Sequence, residues 1–324
     1  MVEFGVVIPS YGSMTEASAF RSLVQAAEHL GYADAWFADH LVVPGYAVPM
    51  LGPDWLEPLA CCQLGLGMTD RLRFGTDVLV APYRNPLLVA KQAASADRLS
   101  GGRLTLGLGV GYVRGEFEAL SAPDYAARGA VTDEVIDVLH DLWSGPGPHT
   151  HHGEHFRYTD VYSGPAPQQT PLPVWVGGNY ARAHQRAAAR GDGWHPLFPT
   201  PEDYAAGRQR ILSLRGSGDG FTFSYSCPGT YVVAPGEARP ELAEYGDGVP
   251  DEFGYAPPFP RTASGRPRFV GTVDELLEDL QTYCEAGVEH FTLRFHTTDP
   301  EAGPEQVIEQ MERFATQVIP VFRG

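Results

Sequence analysis

Residues 97–112 run from Asp97-Arg98-Leu99-Ser100 through Gly101-Gly102-Arg103 into Leu104-Thr105-Leu106-Gly107-Leu108-Gly109-Val110-Gly111-Tyr112. Read physically, this is a helix end, a tight polar turn, a buried strand, and then main chain stripped of side chains. Gly107, Gly109 and Gly111 hold alternate positions, so they share one face of an extended strand. Without Cβ atoms, that face lets a flat group approach the backbone closely. A strand ending in bare backbone is where a barrel of alternating strands and helices holds its ligand.

The rest of the chain repeats the same alternation. Phe4 to Pro9 is a short apolar strand. Glu16 to Leu30 carries apolar residues at helical spacing (Phe20, Leu23, Val24, Ala27, Leu30), and Gly31 closes that helix. Strands are expected over 33–38, 72–81, 103–108, 174–176, 221–233 and 290–295. Helices are expected over 57–68, 86–99, 132–143, from 180 to Arg190, 272–286 and 304–318. Apolar strands alternating with helices are the pattern of buried parallel strands. About eight such units over this length fit an α/β (β/α)8 TIM barrel. An open doubly wound sheet is the competing fold. It places a G-x-G-x-x-G turn after its first strand, whereas here the pattern is G-x-G-x-G on the fourth. The continuous alternation predicts one domain over 1–324. Two excursions interrupt it, at about 146–173 and 235–268. The second is rich in Pro, Gly and acidic residues and has the length of an active-site lid.

Composition narrows the function. At 43% hydrophobic residues the chain can bury a full core, and its apolar runs are strand-length, so no membrane span is expected. The N-terminus has no basic segment followed by a long apolar one, which argues against a secretory signal. Cys61, Cys62, Cys227 and Cys284 show no paired spacing, as in a reducing, cytoplasmic compartment. A net charge of −17 argues against nucleic acid and against anionic membranes as partners.

In a barrel, chemistry belongs to residues just past the strand C-termini. Asp39-His40, Thr76-Asp77-Val78, Gly109 to Tyr112 and Gly177-Gly178-Asn179 hold such positions. Gly177-Gly178, between a strand and a helix start, leaves amide groups free to meet a phosphate; a turn needing glycine for its angles alone is the other reading. His40 can move a proton near neutral pH, or simply cap a strand end. Asp39 can orient His40, accept from a flat ring, or form a turn. His149, His151, His152, Glu154 and His155 look metal-like, but their spacing matches no structural zinc pattern, so a surface hairpin and no metal are expected. No G-x-S-x-G elbow or singled-out carboxylate pair is present.

At these residues the chain resembles the bacterial luciferase-like monooxygenase superfamily, and within it the deazaflavin-dependent (coenzyme F420) oxidoreductases. The resemblance rests on Ala35-Trp36-Phe37-Ala38-Asp39-His40, Arg73-Phe74-Gly75-Thr76-Asp77-Val78-Leu79, Tyr83-Arg84-Asn85-Pro86 and Lys91-Gln92. It continues through Leu99 to Arg103, Gly107 to Tyr112, Glu116-Phe117, Val174 to Asn179, Gly191-Asp192-Gly193-Trp194, Phe269 to Thr272 and Glu285 to Val288. It spans about residues 1–196 and 268–296.

The resemblance implies a flavin or deazaflavin at the barrel's C-terminal mouth. Asp39 and His40 would lie by its reactive ring face. A non-proline cis peptide would fall at Asp77–Val78 or one bond away. Gly109, Val110, Gly111 and Tyr112 would flank the ring, and Asp77, Val78 and Glu116 would be cofactor-binding residues with them. Gly177, Gly178 and Asn179 would hold the phosphate. Glucose-6-phosphate-oxidising members place a Glu right after the G-x-G turn, a Trp just beyond the Asp-His pair and sugar-phosphate lysines after the sixth strand; here Tyr112, Val42 to Gly45 and His195 to Phe198 stand in those places. The pocket is therefore expected to be more apolar, with Tyr11, Tyr46, Trp55, Tyr112, Trp194 and Phe198 as substrate walls. Hydride transfer between coenzyme F420 and a C=C, C=N or C=O bond of a small organic substrate, with His40 moving the proton, is the leading expectation. An FMN-dependent two-component monooxygenase served by a separate reductase is the alternative, and a non-catalytic flavin-binding protein a third. Members are commonly homodimers.

Overall fold

The computed structural model describes residues 2–241, 259–297 and 302–323. Among them, eight strands and eight helices alternate: β1 (Glu3–Val7), α1 (Ala17–His29), β2 (Asp34–Phe37), α2 (Pro58–Met68), β3 (Arg73–Thr76, resuming at Leu79–Val80), α3 (Pro86–Ser100), β4 (Leu104–Gly109), α4 (Arg128–Trp143), β5 (Val174–Gly177), α5 (Ala181–Arg190), β6 (Gly193–His195), α6 (Pro201–Arg215), β7 (Thr222–Ser226), α7 (Val273–Glu285), β8 (His290–Leu293) and α8 (Pro304–Gln317). Each strand pairs in parallel with its neighbour, and β1 pairs with β8 through Phe4 opposite Phe291. The sheet therefore closes on itself, as expected of a (β/α)8 barrel.

The helices begin and end where local chemistry dictates. Asn85 accepts from the Leu87 amide at 2.9 Å ahead of Pro86, and Gly101, in a left-handed conformation, ends α3. Thr272 and Glu275 form a capping box on α7. On α1 the buried residues Phe20, Leu23, Val24 and Ala27 form one stripe against the barrel.

The barrel interior is filled by rings. Trp36 of β2 stacks on Trp175 of β5 and on His195 of β6, each with centroids 5.0 Å apart, and Trp175 meets His290 of β8 edge-on at 5.0 Å. These rings fit because neighbouring strands present glycine. A Cβ on Gly75 would strike the six-membered ring of Trp36, and one on Gly193 would strike the indole of Trp175. The bare positions of β3 and β6 are thus cut to the shape of the two indoles.

Several sequence expectations need correction. The stretch 221–233 is not one strand: β7 ends at Ser226, and Tyr231–Val232 pairs instead with Val270–Gly271 in a separate small sheet. The break falls at Cys227-Pro228-Gly229, where proline cannot supply an amide to a ladder. The third strand, expected to be continuous over 72–81, is interrupted at Asp77-Val78. Helix α4 starts at Arg128 rather than Thr132, one turn early. The first excursion contains an antiparallel hairpin, His149–His152 with Arg157–Val161. The second lies partly outside the described residues, so the expected lid finds no description over 242–258. Cys61, Cys62 and Cys227 are buried and free, and burial pushes the Cys61 thiol up to about 12. Among the described residues, no helix is long and apolar enough to cross a membrane.

Replacing Gly75 with Ala forces a Cβ into the Trp36 ring. We expect a stability loss of about 1–3 kcal/mol or more, read as a lower urea midpoint at unchanged m-value.

Candidate active site at the C-terminal mouth of the barrel

All eight strands point their C-termini at one mouth, and a cavity of about 310 Å³ opens there. Its lining comes from residues that follow successive strands: Asp39 and His40 after β2, Asp77 and Val78 within β3, and Gly109 to Tyr112 at the end of β4. Gly177, Gly178 and Asn179 follow from β5, with His195 from β6, Ser226 from β7 and Arg294 from just beyond β8.

The peptide bond between Asp77 and Val78 is cis. Val78 enters the space that the glycines leave open. A Cβ on Gly107 would strike the Thr76 carbonyl, one on Gly109 would strike the Val78 side chain, and Val78 also lies against Gly177. The alternating glycines of β4 therefore serve first to admit Val78. Gly109, Val110 and Gly111 still line the cavity, with Val78 as its inner wall. Of the three glycines, Gly107 gives its bare face to Thr76 and Val78 and does not line the cavity.

His40 is buried, and its Nδ1 lies 3.1 Å from Glu116 Oε2. Glu116, only 1% exposed, also accepts from the Leu41 amide and from the Tyr83 hydroxyl, each at 3.1 Å. A carboxylate only accepts, so Nδ1 carries the proton and Nε2 is left as the basic atom. Nε2 lies 3.4 Å from the Tyr112 hydroxyl, and the ring packs edge-on against Trp55 with centroids 4.7 Å apart. Burial, together with the Glu116 charge, raises the Tyr83 hydroxyl far above its ordinary value, so it stays protonated and donates.

The expected roles shift with this geometry. Glu116 does not line the cavity; it stands behind His40 and orients it, the task the sequence offered to Asp39. Asp39 does line the cavity, but its oxygens are committed. It accepts two hydrogen bonds from Arg84, at 2.6 and 2.9 Å, and one from the Val80 amide at 2.7 Å. Arg84 also reaches Glu57 at 2.7 Å. This pairing fixes the loop after β2 to the second segment of β3. A lone Asp in a turn gives no hint of an arginine 45 positions away.

Asp77 is buried and held from three sides: His195 Nε2 at 2.9 Å, Arg294 at 2.8 Å and Ser226 Oγ at 3.5 Å. Burial alone would raise its carboxyl. The hydrogen bond and charge of His195, with the Arg294 guanidinium, outweigh that and hold it below the ordinary carboxylate value.

At Gly178 the backbone turns with a φ of 113°, and α5 starts after Tyr180 with no side chain capping its amides. An anion at the cavity edge would meet those amides and the positive end of the helix. Asn179 lines the cavity, but its amide bonds the Leu197 backbone in both directions, at 2.6 and 2.9 Å, tying this turn to the β6–α6 loop.

Of the expected substrate walls, Trp55, Tyr112 and Phe198 line the cavity. Tyr11 stands against Trp55, with centroids 4.6 Å apart, and is not itself a lining residue. Tyr46 is half-exposed outside the cavity, its hydroxyl accepting from the Gly115 amide. Trp194 is buried between β6 and the helices outside it, where its Nε1 donates to the Gly178 carbonyl and its ring stacks on Tyr204 and meets His184 edge-on. A tryptophan beside a strand end reads as a wall; here the strand's alternation turns it into the surrounding core. The histidines of the hairpin go separate ways: His149 to Asp141, His151 to Glu134, His152 to Thr159.

Sequence reasoning missed His195, Ser226 and Arg294, and also Leu51, Tyr125 and Arg128, which line the same cavity. The first three carry the signal already used for Asp39 and Gly177, since each ends or follows a barrel strand. The others come from the connections after β2 and β4, where no strand end marks them.

The model for luciferase-like monooxygenases matches residues 2–319. The chain belongs to that family, whose members are oxidoreductases or monooxygenases. Among its relatives is an uncharacterized protein of Mycobacterium tuberculosis, 35% identical over 215 residues, 63% of this chain and 73% of that protein. The FMNH(2)-dependent dimethylsulfone monooxygenase of Pseudomonas putida is 29% identical over 177 residues, covering 54% of this chain and 47% of that one. An F420-dependent secondary alcohol dehydrogenase, solved with an F420–acetone adduct, shares the fold. It has a TM-score of 0.76 at 18% identity and 99% coverage of both chains.

Two outcomes follow for this luciferase-like barrel. Asp39→Ala leaves the Arg84 guanidinium with Glu57 as its remaining carboxylate and the Val80 amide without its acceptor, and should cost about 1–3 kcal/mol, read by thermal or urea unfolding. The Asp77 carboxyl is depressed in the folded state, so its contribution is present above the unfolded value of about 3.9 and is lost as pH falls through the folded value. Asp77→Asn should therefore flatten the fall of stability with pH below about pH 4 in acid-unfolding curves.

Proposed function

We propose that this protein is a deazaflavin-dependent oxidoreductase that exchanges a hydride with a carbonyl, imine or alkene of an apolar organic substrate, with His40 carrying the accompanying proton. The carrying observation is the Glu116–His40 pair: a buried carboxylate fixes the imidazole so that Nε2 is the basic atom. Hydride transfer to one atom of a C=O, C=N or C=C bond leaves one proton to be placed on the other atom of that bond, and a neutral imidazole can both hold and release it.

The residues present suit such a cofactor. Val78 and the backbone of 109–111 form an apolar wall for a flat ring, while the amides after Gly178 suit a phosphate. When bound, a deazaflavin supplies a two-electron hydride donor or acceptor and the protein supplies position and dryness. His40 Nε2 gives its proton to the atom of the reduced bond that does not receive the hydride, or takes it in the oxidative direction, while Glu116 stabilises the imidazolium between the two states. Tyr112 donates to Nε2 in the resting site and yields when a substrate arrives. Leu51, Trp55, Val80 and Phe198 exclude water and favour an uncharged, apolar substrate.

The same cavity also suits FMN, the cofactor named for the Pseudomonas relative, and that reading would call for a separate reductase. Titrating the apoprotein with FMN and with coenzyme F420, then assaying each reduced cofactor with and without oxygen, separates the two. We expect tight binding and oxygen-independent turnover with F420. Oxygen-dependent turnover with FMN alone overturns the proposal. His40→Ala should lower turnover by about 10²–10⁴-fold with cofactor affinity retained, and Glu116→Gln should lower it in the same direction.

A further inference from the structure

Below the cavity floor a line of polar side chains crosses the barrel interior, and the chemistry above does not use it. Asp77 Oδ1 bonds His195 Nε2 at 2.9 Å. His195 Nδ1 lies 2.6 Å from Ser224 Oγ, which lies 3.5 Å from His290 Nδ1. His290 Nε2 meets both oxygens of Asp34 at 2.9 Å. Asp34 in turn pairs with Arg73 at 3.0 Å, and Arg73 reaches Glu3 at the opposite end of the barrel. His195, Ser224 and His290 are at most 2% exposed.

The donors and acceptors do not balance when both imidazoles are neutral. Each end of the line is a carboxylate, so both rings must carry hydrogen at Nε2. Both Nδ1 atoms are then acceptors facing one hydroxyl that has one proton to give. A single added proton resolves the conflict: Ser224 donates to one ring and accepts from the other. The surrounding charges favour that proton. Arg294 faces Asp77 and Arg73 faces Asp34, so the buried carboxylates are matched, and Glu3 adds one further negative charge. The remaining neighbours of the two imidazoles are the uncharged rings of Trp36 and Trp175. Ser226 and the Cys227 thiol, both neutral, lie near Asp77.

We propose that Ser224 couples His195 and His290 into one buried site that binds a single proton, and that this proton moves along the barrel axis between the two rings. In the transfer His290 Nδ1 gives its proton to Ser224 Oγ as the Ser224 proton passes to His195 Nδ1. No other group gains or loses a proton, and the positive charge moves from the interior to the ring that lines the cavity floor. Ser224 is thus a positioning residue, and the charge under the cavity changes without water entering.

The test uses the full chain labelled with ¹⁵N-histidine, without cofactor, between about pH 5 and 9. His195→Gln and His290→Gln assign the two ring signals. The expected result is a common midpoint for both Nδ1 resonances with one proton released in total. Ser224→Ala should split that midpoint into two, and Ser224→Thr, which keeps a hydroxyl, should preserve it. Unrelated midpoints in the wild type, two neutral rings throughout, or an unsplit midpoint in Ser224→Ala each overturn the proposal. Should Ser224→Ala fail to fold, His290→Gln decides: His195 alone should then release its proton at a displaced midpoint, and an unchanged one refutes the coupling. None of these readouts depends on which cofactor the cavity takes.

Discussion

The structure depends on two indoles and two imidazoles packed face and edge within a closed ring of strands. A parallel barrel must fill its own axis with side chains, and this one does so with rings where aliphatic layers are the common solution. Rings demand room from the opposing strands, hence the glycines of β3 and β6. They also bring polar atoms into the interior, hence the carboxylates and serine that receive them. The floor of the cavity is the upper surface of this packed and hydrogen-bonded column.

Above that floor, the site is assembled from strand ends far apart in sequence. Val78 occupies the space made by Gly107 and Gly109, so the third and fourth strands share one wall. Arg84 clamps Asp39 and, through it, joins the second strand's loop to the third. Glu116, from a short helix after β4, fixes His40 from β2. Rigid strands supply position, while the connections after β2 and β4 supply Trp55, Tyr125 and Arg128. The basic atom of His40 and the bare wall at Val78 thus face one cavity because the barrel is closed.

Much of this was legible in advance. Helical spacing on α1, the Asn85-Pro86 start of α3 and the Gly101 cap are local signals, set by backbone chemistry within one turn. The apolar strands and their count pointed to a barrel, and the family resemblance, not the strand pattern, placed a cis peptide at Asp77–Val78 or one bond away. The break after Ser226 was less legible, because Tyr231-Val232 is as apolar as the strand before it and only the pairing with Val270-Gly271 separates them. Trp194 failed as a wall for a related reason. Composition marks it as apolar, but the side it faces depends on which residue of a three-residue strand begins the alternation.

The sequence by itself determined the alternation of elements, the closed barrel as the economical reading, and strand ends as the place for chemistry. These follow from periodicity, caps and glycine positions, which act over a few residues. Only the tertiary structure decided that Glu116 rather than Asp39 stands behind His40, that Asp39 belongs to Arg84, and that Asp77 and Asp34 terminate one line of imidazoles. Those contacts join residues tens to hundreds of positions apart. Short-range patterns carry no information about them, because it is barrel closure, not the local chain, that brings the partners within hydrogen-bonding reach.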